Sequence, residues 1–278
     1  MLNAFHTLIE PIELSQLLES GNTVVLDCRF VLTDKHAGRR AYLTNHIPGA
    51  YYLDLDHDLS SPVLKGISGR HPLPHPEVLQ STLQATGMTS ESQVIVYDQS
   101  NSAYAARAWW LLNWLGHDRV AVLNGGFDAW CRAELPTDNQ WPPPKKGTFR
   151  AHLQDHQLVD REYVNTHKEG LADSRALNRY SGKEEPIDPV AGHIEGAICL
   201  PYMENTQPDG TWKSPEELAD RFENANLIEF ENPVFYCGSG VTACHNILAF
   251  KIATGKTARL YAGSWSEWIN YYPAATGP

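Results

Sequence analysis

The chain has 278 residues, enough for one large or two medium domains with a substantial core. Hydrophobic residues make up 42% and charged ones 20%, the balance of an ordinary globular protein. The formal net charge of −11 argues against a nucleic-acid partner and against an anionic membrane surface, both of which call for a basic face; a small anionic ligand would have to be held by a local group of arginines or backbone N–H groups.

The opening "MLNAFHTLIEPIEL" lacks a basic stretch followed by an apolar run, and nothing later approaches the roughly 20 apolar residues that span a bilayer. Cys28, Cys131, Cys199, Cys237 and Cys244 are odd in number and irregular in spacing, which predicts reduced thiols and a cytoplasmic location. No pair or cluster has zinc spacing. His71 and His75 stand four apart in "RHPLPHP", but the prolines forbid the helix that would align them. No metal or organic cofactor is expected.

Taken in chain order, the elements form two copies of one plan. The first copy holds "VVLDCRF" (24–30), "NHIPGAYYLDLD" (45–56), "VIVYDQS" (94–100) and "VLNGGFDAW" (122–130). The second holds "GLADSRAL" (170–177), "GHIEGAICLPYM" (192–203), "VFYCGSG" (234–240) and "LYAGSWSEW" (260–268). The pairs Asp27/Asp173, His46/His193, Asp98/Cys237 and Trp130/Trp268 are 146, 147, 139 and 138 residues apart. Four blocks in one order at nearly constant offset mark a tandem repeat. Runs such as Val94-Ile95-Val96-Tyr97 suit a parallel sheet covered on both faces. "ARAWWLLNWLG" (106–116) reads as a buried helix ending at Gly116. "SPEELADRF" opens a helix with Ser214 as N-cap, Pro215 in first position and Glu217 completing a capping box. The expected fold is α/β, with two tandem domains, each a mainly parallel sheet flanked by helices. Their expected bounds are 1–137 and 150–278, joined by a stiff, extended, exposed linker at 138–149 in "PTDNQWPPPKKGTF". The tryptophans Trp109, Trp110, Trp265 and Trp268 are expected in the core.

Ligand chemistry in such sheets lies at the carboxyl ends of strands, and there stands Cys237 in "VFYCGSGVTACHNILAF". Gly238 and Gly240 can take positive φ, so the loop can curl and point successive N–H groups at one centre, while a helix from about Thr242 aims its N-terminal donors at the same point. Such a cradle stabilises negative charge on a sulfur, or on a second sulfur carried by it. The alternative is a small apolar residue at a strand end. The first copy has Asp98 in the equivalent place, bonding its own loop's amides as a fixed anion, so only one half can perform thiol chemistry.

These blocks together resemble the two-domain rhodanese-family sulfurtransferases, essentially end to end. The resemblance implies that Cys237 takes a sulfane sulfur from a donor as a persulfide and passes it to a thiol, thioredoxin-like or cyanide acceptor, with the first domain catalytically silent. "CGSGVTA" is similar to the loop of the family's 3-mercaptopyruvate enzymes, whereas thiosulfate enzymes carry Arg and Lys after the cysteine. Gly238 and Ser239 add no charge, which suits a donor whose carboxylate lies away from its sulfur. The small anionic donor is thus expected to be 3-mercaptopyruvate, with thiosulfate as the alternative and a non-catalytic binding module as a third reading.

The resemblance also implies site residues. Arg179 matches the family's substrate arginine, with Gly238, Gly240, Val241 and Thr242 lining the loop. Ser239 would hydrogen-bond the donor or relay a proton, and Thr242 would cap the helix. His46 matches a histidine suggested to assist that serine, although its twin His193 favours a structural role. Arg175 is a weaker candidate, since its twin Arg29 points to a scaffold residue. Asp188 stands where 3-mercaptopyruvate enzymes usually place a second arginine, and it is expected to repel a carboxylate. Cys244 is either a resolving thiol or a packed helix residue. Cysteine phosphatases need Arg six positions after the nucleophile; Ala243 stands there and excludes them.

Overall fold

The computed structural model describes residues 4–19 and 21–277. The chain forms two compact units. The first carries β1 (Leu8–Ile9), β2 (Thr23–Asp27), β3 (Tyr51–Tyr52), β4 (Gln93–Tyr97) and β5 (Val120–Leu123), in the order β1-β5-β4-β2-β3. The second carries β6 (Leu158–Val159), β7 (Leu171–Asp173), β8 (Ile198–Cys199), β9 (Val234–Tyr236) and β10 (Arg259–Tyr261), in the order β6-β10-β9-β7-β8. Every pairing is parallel. The central strands β4 and β9 are buried along their whole length, as continuous apolar runs in a covered parallel sheet must be. Asp98 and Cys237 follow them directly. The repeat seen in sequence is thus a repeat of topology, and it places both residues at the carboxyl end of the middle strand.

Helices cover the sheets where their sequences direct. Ala105–Trp114 buries nine of its ten residues, and Gly116 beyond it takes φ 82. Pro215–Asn224 starts with the expected box: the Ser214 hydroxyl accepts the Glu217 N–H at 3.2 Å, and the Glu217 carboxylate accepts the Ser214 N–H at 2.9 Å. The first core gathers Ile9, Leu14, Val25, Ile95, Phe127 and Trp130; the second gathers Val164, Ile194, Val234, Tyr261, Trp265 and Trp268.

Two features of the domain plan differ from expectation. The boundary falls at Gln154/Asp155, and residues 138–149, exposed along most of their length, belong to the first unit and hydrogen-bond to it. Asp138 and His46 exchange both backbone hydrogen bonds, at 2.7 and 2.8 Å, and Lys145 and Gly147 donate to the Ala85 and Gln84 carbonyls. The prolines remove donors from this stretch, but the Asp138, Lys145, Gly147, Thr148 and Phe149 amides find carbonyl partners on the rest of the first unit. In addition, each unit includes a segment of the other repeat: Pro62–Leu73 belongs to the second unit and Thr206–Trp212 to the first.

The Asp-x-Arg pairs lock each sheet. Arg29 donates twice to Asp27 through Nε, once through Nη2 at 2.7 Å, and to the Asn45 carbonyl at 2.6 Å. Arg175 repeats this on Asp173 and on the Gly192 carbonyl, both at 2.6 Å. All four side chains are nearly sealed from water. Removing one member strands a buried charge, which costs about 3–5 kcal/mol. Asp27→Ala is therefore expected to lower unfolding stability by about that amount, read from urea denaturation midpoints. A loss under ~1 kcal/mol would show that the pair does not hold the strand ends.

Candidate active site

Cys237 is 2% exposed and begins a loop whose shape is set by the residues around it. Its N–H donates to Ser264 Oγ at 3.1 Å, its carbonyl accepts the Trp265 N–H at 3.0 Å, and the Gly238 carbonyl accepts the Ser266 N–H at 2.9 Å. The chain then turns back on itself at Gly240, with φ 77, where a Cβ would collide with the Ala262 carbonyl. Only glycine meets both conditions. The turn aims two amides at the sulfur: Gly240 N–H at 3.1 Å and Ser239 N–H at 3.5 Å. Helix Ala243–Thr254 starts just beyond and presents its positive dipole end to the same loop. Thr242 holds the N-cap position, but its side chain makes no capping hydrogen bond, so the expected cap is absent. Val241, in the loop itself, is buried. Cys244 is sealed in the helix, its thiol donating to the Gly240 carbonyl at 3.3 Å; it supports the turn as a packed residue.

Ser239 has a partner that the sequence did not reveal. Its hydroxyl lies 2.8 Å from His71 Nδ1. The hydroxyl donates when that nitrogen is unprotonated and accepts when it is protonated. His46, which matches a histidine suggested to assist the serine but whose twin His193 favours a structural role, lies in the first unit. It is fully buried, with Nδ1 on the Tyr42 carbonyl at 2.8 Å, Nε2 on the Gln140 carbonyl at 3.2 Å and its ring stacked on Tyr42. Its twin His193 does the same with Tyr180. Both histidines fasten loops.

Two guanidinium groups flank Gly238. A Cβ there would stand 2.7 Å from Arg70 Nη2 and 3.4 Å from Arg179 Nη2. Arg179 is held by Glu185, at 2.8 Å from Nη2 and 3.1 Å from Nε, and by Asp188 at 3.1 Å. Arg70 pairs with the other oxygen of Asp188, and its N–H donates to Ser266 Oγ at 3.0 Å. Asp188 therefore does not face a ligand as a bare charge. It is 3% exposed and lies between two arginines, which corrects the expectation that it repels a carboxylate. Burial still pushes its carboxyl above the usual aspartate value, against the pull of Arg70. Burial raises Glu185 as well, but the Arg179 hydrogen bond and the Asp188 and Ile187 N–H groups outweigh it and hold that carboxyl below the glutamate value. Arg175 is not available to a ligand: Asp173, Glu185 and the Gly192 carbonyl occupy it, and its guanidinium sits 4.7 Å from the centre of the Trp265 ring.

The second unit thus defines a class: a parallel α/β domain that presents a thiol in an amide cradle, backed by a Ser–His pair and two arginines. The rhodanese-like domain profile matches residues 10–133 and 155–271, and the chain belongs to the rhodanese family. It is 47% identical over 275 residues to the probable 3-mercaptopyruvate sulfurtransferase of Pseudomonas aeruginosa, covering 95% of this chain and 96% of that one. It is 34% identical over 264 residues to the thiosulfate sulfurtransferase of Bos taurus, covering 91% and 86%. Its fold is similar to that of the 3-mercaptopyruvate sulfurtransferase from Leishmania major, with a TM-score of 0.84 and 32% identity, covering 94% of this chain and 74% of that one.

Arg70, His71 and Glu185 escaped the sequence reading. Arg70 and His71 lie in "SGRHPLP", outside the four repeated blocks, and a basic pair without a counterpart in the other copy was the available signal. Glu185 is expected to leave a pH signature. Folding lowers its pKa, so its contribution to stability is complete above the ordinary value of 4.5 and is lost as pH falls through the folded value. Glu185→Gln should lower the urea midpoint at neutral pH and flatten its decline below pH ~4.5. An acid limb as steep as that of the native chain would count against this.

Proposed function

We propose that the chain is a sulfurtransferase that takes sulfur from 3-mercaptopyruvate onto Cys237 and passes it to a thiol or cyanide acceptor. The observation that carries this reading is the convergence of the Gly240 and Ser239 amides on the Cys237 sulfur. Amides aimed at sulfur favour the thiolate, the nucleophilic form. They serve equally for the terminal sulfur of a persulfide.

The Cys237 thiolate attacks the donor's sulfur. An S–S bond forms, the donor's C–S bond breaks, and its electron pair leaves on carbon as the enolate of pyruvate. That enolate requires one proton, and the transferred S–H carries one, so donor and product balance without an outside acid. Ser239 and His71 form the chain along which the proton can pass. Arg179, with Gly238 beside it, is placed to hold the donor's anionic end. An acceptor thiolate or cyanide then attacks the outer sulfur and regenerates the Cys237 thiolate. Thiosulfate is the second donor to test, because paired guanidiniums also suit a dianion and the bovine relative carries that name.

After treatment with 3-mercaptopyruvate, the intact protein should gain the mass of one sulfur atom, and Cys237→Ser should gain none; sulfur on the serine variant would overturn the mechanism. A higher kcat/KM with thiosulfate than with 3-mercaptopyruvate would reverse the donor assignment. His71→Ala should lower kcat with 3-mercaptopyruvate about 100-fold. A loss under about threefold would remove the proton chain from the mechanism.

A further inference from the structure

We propose that Ser266 is a positioning residue for sulfur transfer: it clamps the segment bearing His71 onto the cysteine loop and so brings His71 to Ser239. This rests on the reading of Ser239 and His71 as the chain along which the donor's proton passes, and it adds the residue that assembles that chain.

His71 lies in Pro62–Leu73, which joins the second unit from outside that unit's own stretch of sequence and contains no helix or strand. No ladder fixes its register, so its place depends on a few individual contacts. Ser266 makes a central one. Its N–H donates to the Gly238 carbonyl at 2.9 Å, and its Oγ accepts the Arg70 N–H at 3.0 Å. Gly238 precedes Ser239, and Arg70 precedes His71. One residue therefore holds the backbone just before each member of the proton chain, and the two side chains meet at 2.8 Å. Ser266 is itself fixed, 8% exposed in the short helix Ser264–Trp268 that follows β10. Gly69 permits the approach: a Cβ there would collide with the Gly263 carbonyl and stand 3.1 Å from Ser266 Oγ. The segment's other tie, from the Tyr271 hydroxyl to the Ile67 carbonyl at 3.2 Å, is exposed and further from His71.

The first unit supplies the contrast. Asp128 stands two residues before Trp130, as Ser266 stands two before Trp268, and its N–H donates to the Gln99 carbonyl in the same way. Its side chain turns elsewhere, accepting the Gln99 side-chain amide at 2.6 Å within its own loop. The facing segment is held there by Asn124, just after β5, whose Oδ1 accepts the Trp212 N–H at 2.9 Å. Only the half with the thiol uses this helix position to join loop and segment. Proton transfer needs its partners within about 2.6–3.2 Å. Loss of the Ser266 hydroxyl leaves the Arg70 N–H without this acceptor and frees the segment to shift by more than that tolerance.

The experiment measures kcat at saturating 3-mercaptopyruvate for the native chain, Ser266→Ala, His71→Ala and the double variant, with a urea midpoint for each. Ser266→Ala should lower kcat about 10-fold. In the His71→Ala background the same change should alter kcat less than about twofold, because the group it positions is already gone. A residue that only stabilised the fold would give losses that multiply. Ser266→Thr keeps an accepting oxygen and should return kcat to within about threefold of the native value. If Ser266→Ala does not fold, Gly69→Ala tests the same docking from the segment's side and should show the same dependence on His71. A native kcat in Ser266→Ala, or losses that multiply in the double variant, overturns the proposal while leaving His71 in the reaction. A His71→Ala kcat within about threefold of native removes the proton chain, and the positioning role with it.

Discussion

Gly240 is the constraint on which the site depends. With φ 77 and no room for a Cβ against the Ala262 carbonyl, it reverses the chain within three residues of Cys237 and turns its own amide onto the sulfur. The turn would not hold alone. Ser264, Trp265 and Ser266 receive or supply the loop's backbone hydrogen bonds, and they follow β10, which pairs with β9. The position of the thiol is thus set by two neighbouring strands and the turn between one strand and its helix. Few of these contacts involve a side chain that chemistry would single out. Most are made by backbone, so the shape of the loop is set by the chain's own hydrogen bonds around a sulfur that is 2% exposed.

The first unit shows what the same plan does without a thiol. Asp98 follows β4 as Cys237 follows β9, and its carbonyl accepts the Phe127 N–H at 2.9 Å as that of Cys237 accepts the Trp265 N–H. The next bond is repeated too, from Asp128 N–H to the Gln99 carbonyl at 2.9 Å. The Asp98 carboxylate then takes three amides, those of Ser102, Tyr104 and Ala105. Burial raises its pKa, and those three bonds work against the rise. The loop after the central strand is therefore an amide cradle in both halves. In the first it surrounds the Asp98 carboxylate, and in the second it surrounds the Cys237 sulfur.

Much of this was legible in the sequence because it rests on local rules. Positive-φ glycines, apolar runs of strand length, a Ser-Pro-x-Glu helix start and the four short blocks that recur in order each have a physical reason that operates over a few residues. The Asp-x-Arg pairs were legible as scaffold for the same reason, since each pair spans three residues and occurs twice. His71 and Arg70 were not legible, because their roles depend on which unit their segment joins, and nothing local in "SGRHPLP" decides that. The structural role of His46 was legible from its twin His193 in the other copy, and its ring is used on the Tyr42 and Gln140 carbonyls. Asp188 misled because a carboxylate was judged by its own charge, when the charge that matters is that of the cluster covering it.

The segments that each unit takes from the other repeat occupy like places in the plan, one ahead of helix Pro76–Ala85 and the other ahead of helix Pro215–Asn224. Each reaches the loop after the central strand at one of its serines. In the second unit, Pro62–Leu73 sets His71 against Ser239 and Arg70 against Gly238. In the first, Thr206–Trp212 sets the Trp212 indole against Ser102, donating at 3.2 Å, with the indole 6% exposed. One slot thus holds an imidazole and a guanidinium where the loop carries a thiol, and an indole where the loop carries a carboxylate. An indole donates one hydrogen bond and neither gains nor loses a proton in the physiological range, so it can seal a fixed anion but cannot serve a reaction. The loop and the segment facing it differ between the halves together: the thiol loop faces an imidazole and a guanidinium, and the carboxylate loop faces an indole.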